Sequence, residues 1–125
     1  MVAHINRDLL ASENLLRSKQ QEIETFFQQL EYKLQQPWNL AKLAKLAGYS
    51  PAHFNRLCLQ QFSTTPIKKL RLLRMQRAKT LLKNGELTIS DIANAVGYKD
   101  VFNFSSAFKR EVGTAPNLYR HTKDC

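Results

Sequence analysis

No stretch of this 125-residue chain approaches the roughly eighteen consecutive apolar residues that a membrane span requires. The N-terminus also lacks the basic-then-apolar layout of a secretory signal. Both absences lead us to expect a soluble, cytoplasmic protein. Cysteine is scarce: Cys58 falls on the apolar face of an expected helix and Cys125 at the end of the chain, a poor arrangement for a structural disulfide. His4, His53 and His121 lie in separate segments without metal-ligand spacing, so no metal and no cofactor is expected. No Ser/His/Asp, Cys/His or paired-carboxylate arrangement and no phosphate-cradling loop is visible, which argues against an enzyme. Acidic residues are few as well, 10 against 19 Lys and Arg, leaving a formal charge of +9. That balance favours a polyanionic partner, although it suits RNA or an anionic membrane as well as DNA. The length allows one compact domain, or two tightly joined subdomains of about fifty residues. It leaves no room for a separate sensor domain, and no small-molecule effector site is expected.

What the chain does contain is a duplication. Leu43-Ala44-Lys45-Leu46-Ala47-Gly48-Tyr49 returns as Ile92-Ala93-Asn94-Ala95-Val96-Gly97-Tyr98, so that Leu40, Leu43, Ala44 and Tyr49 match Ile89, Ile92, Ala93 and Tyr98 at an offset of 49. Beyond the glycines the offset becomes 50, pairing Ser50 with Asp100, Phe54 with Phe104, Cys58 with Phe108, Ser63 with Gly113 and Pro66 with Pro116. Apolar residues at i, i+3 and i+4 before each glycine predict a short buried helix, ended by a residue that can adopt positive φ. Ser50 and Asp100 then suit the N-caps of second helices. Phe54, Leu57 and Cys58 form the apolar face of one, and Phe104, Ala107 and Phe108 that of the other. Small Ala44 and Ala93 let the helices of each unit cross closely, as in a helix-turn-helix.

The remaining segments connect these units. Residues 1–20 contain Leu9, Leu10, Leu15 and Leu16 and read as an N-terminal extension or linker remnant with a partly frayed helix. Ile23, Phe26, Phe27, Leu30 and Leu34 predict a helix over about 20–35, ended by Pro37, after which Asn39 caps the next. Between Thr65 and Asn84, Pro66 suits a first helical turn and Asn84-Gly85 a stop, with Ile67, Leu70, Leu73, Ala78, Leu81 and Leu82 as the buried stripe. This helix carries Lys68, Lys69, Arg71, Arg74, Arg77, Lys79 and Lys83 and no acidic residue, a stripe placed to attract phosphate. Thr88 and Asp91 resemble a capping box, and Arg74 and Asp91 are candidates for an internal ion pair. A short turn over 116–120 ends the pattern. The expected architecture is all-α: an extension (1–20), a first helix-turn-helix subdomain (21–64), a linker helix (65–84) and a second such subdomain (85–125), each unit a homeodomain-like set of three helices. A linker of some eighteen helical residues is roughly 27 Å long, close to the ~34 Å that separates successive major grooves on one side of B-DNA.

Four stretches together resemble the DNA-binding domain of the AraC/XylS family of bacterial transcription regulators. They are Ser50-Pro51-Ala52-His53-Phe54-Asn55-Arg56; Arg74-x-x-x-Ala78-x-x-Leu81-Leu82; Ile89-x-Asp91-Ile92-Ala93-x-x-x-Gly97-Tyr98-x-Asp100; and Phe104-x-x-x-Phe108-Lys109-Arg110-x-x-Gly113-x-x-Pro116-x-x-Tyr119-Arg120. The match covers about Asn39 to Arg120. It implies two helix-turn-helix subdomains bridged by a long helix, binding to asymmetric promoter sites, activation of transcription, and RNA polymerase as a protein partner. Cys58 stands where the family usually has Phe, Leu59 where Lys or Arg is common, and Ser63 where Gly is usual, which predicts looser packing of the first unit. Ser106 replaces an Arg found in many members, which weakens base reading by the second.

With Phe54, Leu57 and Cys58 turned inward, the first reading helix presents Pro51, Ala52, Asn55, Arg56 and Gln60. Of these, Arg56 suits guanine and Asn55 suits adenine, each through two hydrogen bonds; the competing role for Arg56 is a phosphate clamp or an internal ion pair. His53 is expected to pack toward the turn. The second helix offers Val101, Phe102, Ser105 and Ser106 to bases, with apolar contacts to thymine methyls from the first two. Phosphate positioning falls to Lys68, Lys69, Lys99, Lys109 and Arg110. The first unit is therefore expected to supply most direct readout and the second mainly backbone contacts and shape selection. The alternative from another class is a basic helical adaptor that docks on acidic proteins or anionic membrane.

Overall fold

The computed structural model describes the backbone of residues 7–122 and the side chains of residues 17–122. His4 and Cys125 lie outside those residues. The described chain is helical throughout, with no strand: α1 (Arg7–Leu30), a 3-10 turn (Glu31–Lys33), α2 (Leu40–Ala47), α3 (Pro51–Phe62), α4 (Pro66–Asn84), α5 (Ile89–Ala95), α6 (Val101–Val112) and α7 (Pro116–His121).

Side-chain caps set most of the helix starts. Asn39 Oδ1 accepts from the Lys42 N–H at 2.8 Å, Ser50 Oγ from His53 at 3.3 Å, Thr65 Oγ1 from Lys68 at 3.2 Å, Thr88 Oγ1 from Asp91 at 3.0 Å, and Asp100 Oδ1 from Phe102 at 2.8 Å. Each satisfies a backbone donor that the helix itself leaves open. At the other ends Gly48, Gly85 and Gly113 take positive φ as C-caps. Ser63 does the same for α3 at φ 56°, where the duplicated unit has Gly113.

The first helix differs from its expected course. α1 crosses residue 20 without a break and stops at Leu30, not near Leu34, giving way to the 3-10 turn. Side chains hold the turn that follows. Trp38 Nε1 donates to the Lys33 carbonyl at 2.8 Å, and Arg74 reaches the carbonyls of Leu34 and Gln36. Pro37, four residues on, has no N–H with which a continuing α-helix could have answered the Lys33 carbonyl.

Two clusters of buried side chains divide the interior. Ile23, Phe27, Leu30 and Leu34 meet Leu43, Ala44, Phe54, Leu57, Cys58 and Leu70 in the first, and Met75, Ala78 and Leu82 meet Ile92, Ala93, Val96, Phe104, Ala107 and Phe108 in the second. Helix α4 thus gives its N-terminal half to one core and its C-terminal half to the other. Rings fill much of the space: Phe54 stacks on Tyr49 at 5.9 Å and on Phe27 at 6.1 Å, while Phe104 lies between Tyr98 at 5.7 Å and Phe108 at 5.8 Å. Ala44 and Ala93 are buried, as the close crossing of each helix pair requires. In the stripe along α4, Leu70, Ala78 and Leu82 are buried, Ile67, Leu73 and Leu81 half-buried, and Met75 joins them. Helix α7 is tied back to the end of α4 by Arg120, which donates to the carbonyls of Leu82, at 3.4 Å, and of Leu87.

Candidate nucleic-acid interface

With one face of α3 committed to the core, its other face is open. Ala52, Arg56 and Gln60 are exposed and Asn55 is half-buried. The Arg56 guanidinium makes no hydrogen bond or ion pair among the described residues. His53 is half-buried, its ring 5.3 Å from that of Tyr49. Leu59, 45% exposed, lies one turn beyond Arg56 on the same face. It stands where the resembled family commonly has Lys or Arg.

Helix α6 repeats the arrangement. Phe102, Ser106 and Lys109 are exposed along one face, whereas Val101 and Ser105 are half-buried, Val101 against the second core. Phe102 is 79% exposed, an unusual place for a large ring. Lys109 and Arg110 sit in the last turn, where a positive charge also offsets the helix dipole. Lys99 is exposed in the turn that leads into α6. Sequence reasoning missed Asn103, exposed on the flank of this helix. The duplication pairs Asn103 with His53, and the packing role of His53 does not transfer to it. Asn103, Ser106 and Arg110 face Trp38, Arg71, Arg74 and Tyr98 across a cleft of about 410 Å³ between the two units.

The cationic stripe along α4 is largely engaged. Arg71 pairs with Glu111 at 3.5 Å. Lys69 Nζ stands 4.4 Å from the Phe62 ring centroid and 5.4 Å from that of Phe27, a cation–π arrangement. Lys83 donates to the Thr122 carbonyl and lies over Tyr119. Arg74 does not pair with Asp91. Its Nη2 donates to the carbonyls of Leu34 at 3.2 Å and Gln36 at 2.9 Å, and its guanidinium lies 5.8 Å from the Tyr98 ring centroid. Asp91 instead opens α5, its amide held by Thr88. Burial draws the Arg74 pKa below its ordinary value, with the Tyr98 phenol pulling the other way. Lys68 remains exposed in the first turn of α4. The unengaged positive charge near the open faces is thus carried by Arg56, Lys68, Lys99, Lys109 and Arg110.

Comparison with known proteins fits this geometry. Residues 43–122 match a family model described as a helix-turn-helix domain. The regulatory protein SoxS of Salmonella typhimurium is 34% identical over 104 residues, which cover 83% of this chain and 97% of that protein. The helix-turn-helix-type transcriptional regulator GlxA of Rhizobium meliloti is 33% identical over 93 residues, 74% of this chain and 29% of GlxA. Apart from SoxS, the chain spans about a third or less of the curated relatives it matches first. Among solved structures, the C-terminal domain of AraT, a response regulator from Geobacillus stearothermophilus, superposes with a TM-score of 0.76 at 32% identity, covering 83% of this chain and 87% of that one.

Proposed function

This chain belongs to the AraC-type helix-turn-helix family of DNA-binding transcription regulators, and from that membership we propose that it reads double-stranded promoter DNA with α3 and α6 in successive major grooves. The supporting observation is the repeated open face. On α3 it carries Ala52, Arg56 and Gln60 with Asn55 half-buried at its edge, and on α6 Phe102 and Ser106 with Val101 and Ser105 half-buried beside them, each face backed by its own core and both mounted on α4. The two units correspond to residues 21–64 and 85–125, with 65–84 as the linker. Nineteen helical residues make α4 about 28 Å long, near one turn of the duplex.

Arg56 is the main base reader, through two hydrogen bonds to guanine, and Asn55 serves adenine. On its open face helix α6 puts Phe102 and Ser106 foremost, so its share is thymine-methyl contact by Phe102 and shape selection. Lys68, Lys99, Lys109 and Arg110 position the backbone, and Lys69 is held closer to the protein by its two rings. Activation of transcription, with RNA polymerase as the partner, follows from the resemblance of residues 39–120 to the AraC/XylS pattern.

Selection from a random duplex pool tests this reading. It calls for an enriched site of about twenty base pairs without palindromy, and for activated transcription when that site is placed upstream of a promoter. Recovery of no consensus, together with equal binding to anionic vesicles, would sink it.

A further inference from the structure

The two cores adjoin around Arg74 on α4. Leu70 is buried in the first and Met75 in the second, and Arg74 stands between them on α4. Its Nη2 is fixed by two carbonyls of the segment that follows α1 and its ring contact is with Tyr98, from the turn that opens α6; its buried Nε has no partner among the described residues. Gly97 presses into the same place. A Cβ built there would stand 2.2 Å from the Leu34 carbonyl oxygen and 2.9 Å from Arg74 Nη2. Backbone of the first unit, the linker and the turn of the second unit therefore come together around the Leu34 carbonyl, off the axis of α4.

That point has a mechanical consequence. A helix shared by two cores fixes their distance, but each unit could still rock about its own contact with α4. An additional contact between the units, away from that axis, removes the freedom. The contact resists opening, because a charge-assisted hydrogen bond is roughly twice as strong as a neutral one. We infer that Arg74 and Gly97 are positioning residues which set the separation and orientation of α3 and α6 before DNA arrives, so that this contact dictates the half-site spacing the protein accepts. The inference rests on the two-groove reading. One inserted base pair moves the second groove by ~3.4 Å and turns it by about 35°. A locked pair of heads must distort itself or the duplex to follow, whereas a rocking pair follows freely but forfeits the benefit of preorganisation.

Two measurements separate this inference from the reading beneath it. In the free protein, with Cys125→Ser and spin labels at Lys45→Cys and Asn94→Cys, equivalent exposed positions of the two units, pulsed electron paramagnetic resonance reports the distance between heads. A narrow distribution is expected, broadened by Arg74→Met and less so by Arg74→Lys. On DNA, an enriched duplex is compared with versions carrying one or two extra base pairs between its halves. The unsubstituted protein is expected to lose ~tenfold or more in affinity for one inserted pair, and Arg74→Met less than ~threefold. An unchanged distance width in both Arg74 variants, or an undiminished spacing penalty in a folded variant, overturns the positioning role. Should the unsubstituted protein ignore spacing, the two-groove reading fails, and the distance widths alone decide whether the contact locks the heads.

Discussion

Gly48 and Gly97 fill the same place in the duplicated units and share positive φ, 88° and 97°, yet only one of them is enclosed. A Cβ on Gly48 would meet nothing within 4 Å, and one on Gly97 would fall 2.2 Å from the Leu34 carbonyl oxygen. The first glycine serves its turn alone; the second also lets the two halves of the molecule touch.

Alanine should therefore cost the two positions differently. In Gly48→Ala, left-handed backbone strain of ~1–2 kcal/mol is partly offset by a stiffer unfolded chain, leaving about 1 kcal/mol. Gly97→Ala adds overlap with a backbone carbonyl that cannot rotate away, for about 2–4 kcal/mol in all. Urea denaturation followed by circular dichroism gives both values.

Ser63 closes α3 at φ 56° where Gly113 closes α6 at φ 96°. Relief of left-handed strain in Ser63→Gly outweighs the added freedom of the unfolded chain, so a gain of about 0.5–1 kcal/mol is expected. Gly113→Ser should lose a similar amount. Denaturation midpoints at unchanged slope check the pair.

Much of this architecture was legible in the residues. The apolar spacing around Gly48 and Gly97 located both helix pairs, and the caps at Asn39, Ser50, Thr65, Thr88 and Asp100 lie where short polar side chains precede apolar periods. Contacts distant in sequence were not legible. In the turn after α1, the Leu34 carbonyl is held by Arg74 from 40 residues away. Arg74 and Asp91 looked like partners because their charges are opposite, whereas two backbone carbonyls hold Arg74. For the interface, periodicity grouped Val101 with the open residues of α6, whereas it packs against the second core. Periodicity could not find Asn103, whose exposure depends on the cleft between units, nor show that Lys69 lies against rings.

Base reading should divide unequally between the heads. Arg56→Ala is expected to weaken a selected site by ~1–3 kcal/mol and random duplex by much less. Ser106→Ala should change either by less than about 0.5 kcal/mol. Lys109→Ala should weaken both DNAs alike and lower the log–log salt slope by about one. Fluorescence anisotropy across a salt series separates the three.

Burial pushes the Cys58 thiol up to about 11, with Lys69 pulling against the shift. At pH 8 about a thousandth of it is then thiolate, the reactive form. In a Cys125→Ser background the native protein should react with a disulfide reagent only slowly, gaining speed toward pH 10 and at once in urea. Timed absorbance of the released thiolate follows it. Rapid reaction of the folded protein at pH 7 would show an accessible thiol.

Hydroxyl-radical footprinting of a selected duplex, with the complex weighed by sedimentation, tests most directly whether one chain engages two grooves. The expected result is one protein per duplex and two protected windows about ten base pairs apart on the same face. A single window, or an inverted repeat occupied by two chains, would contradict it.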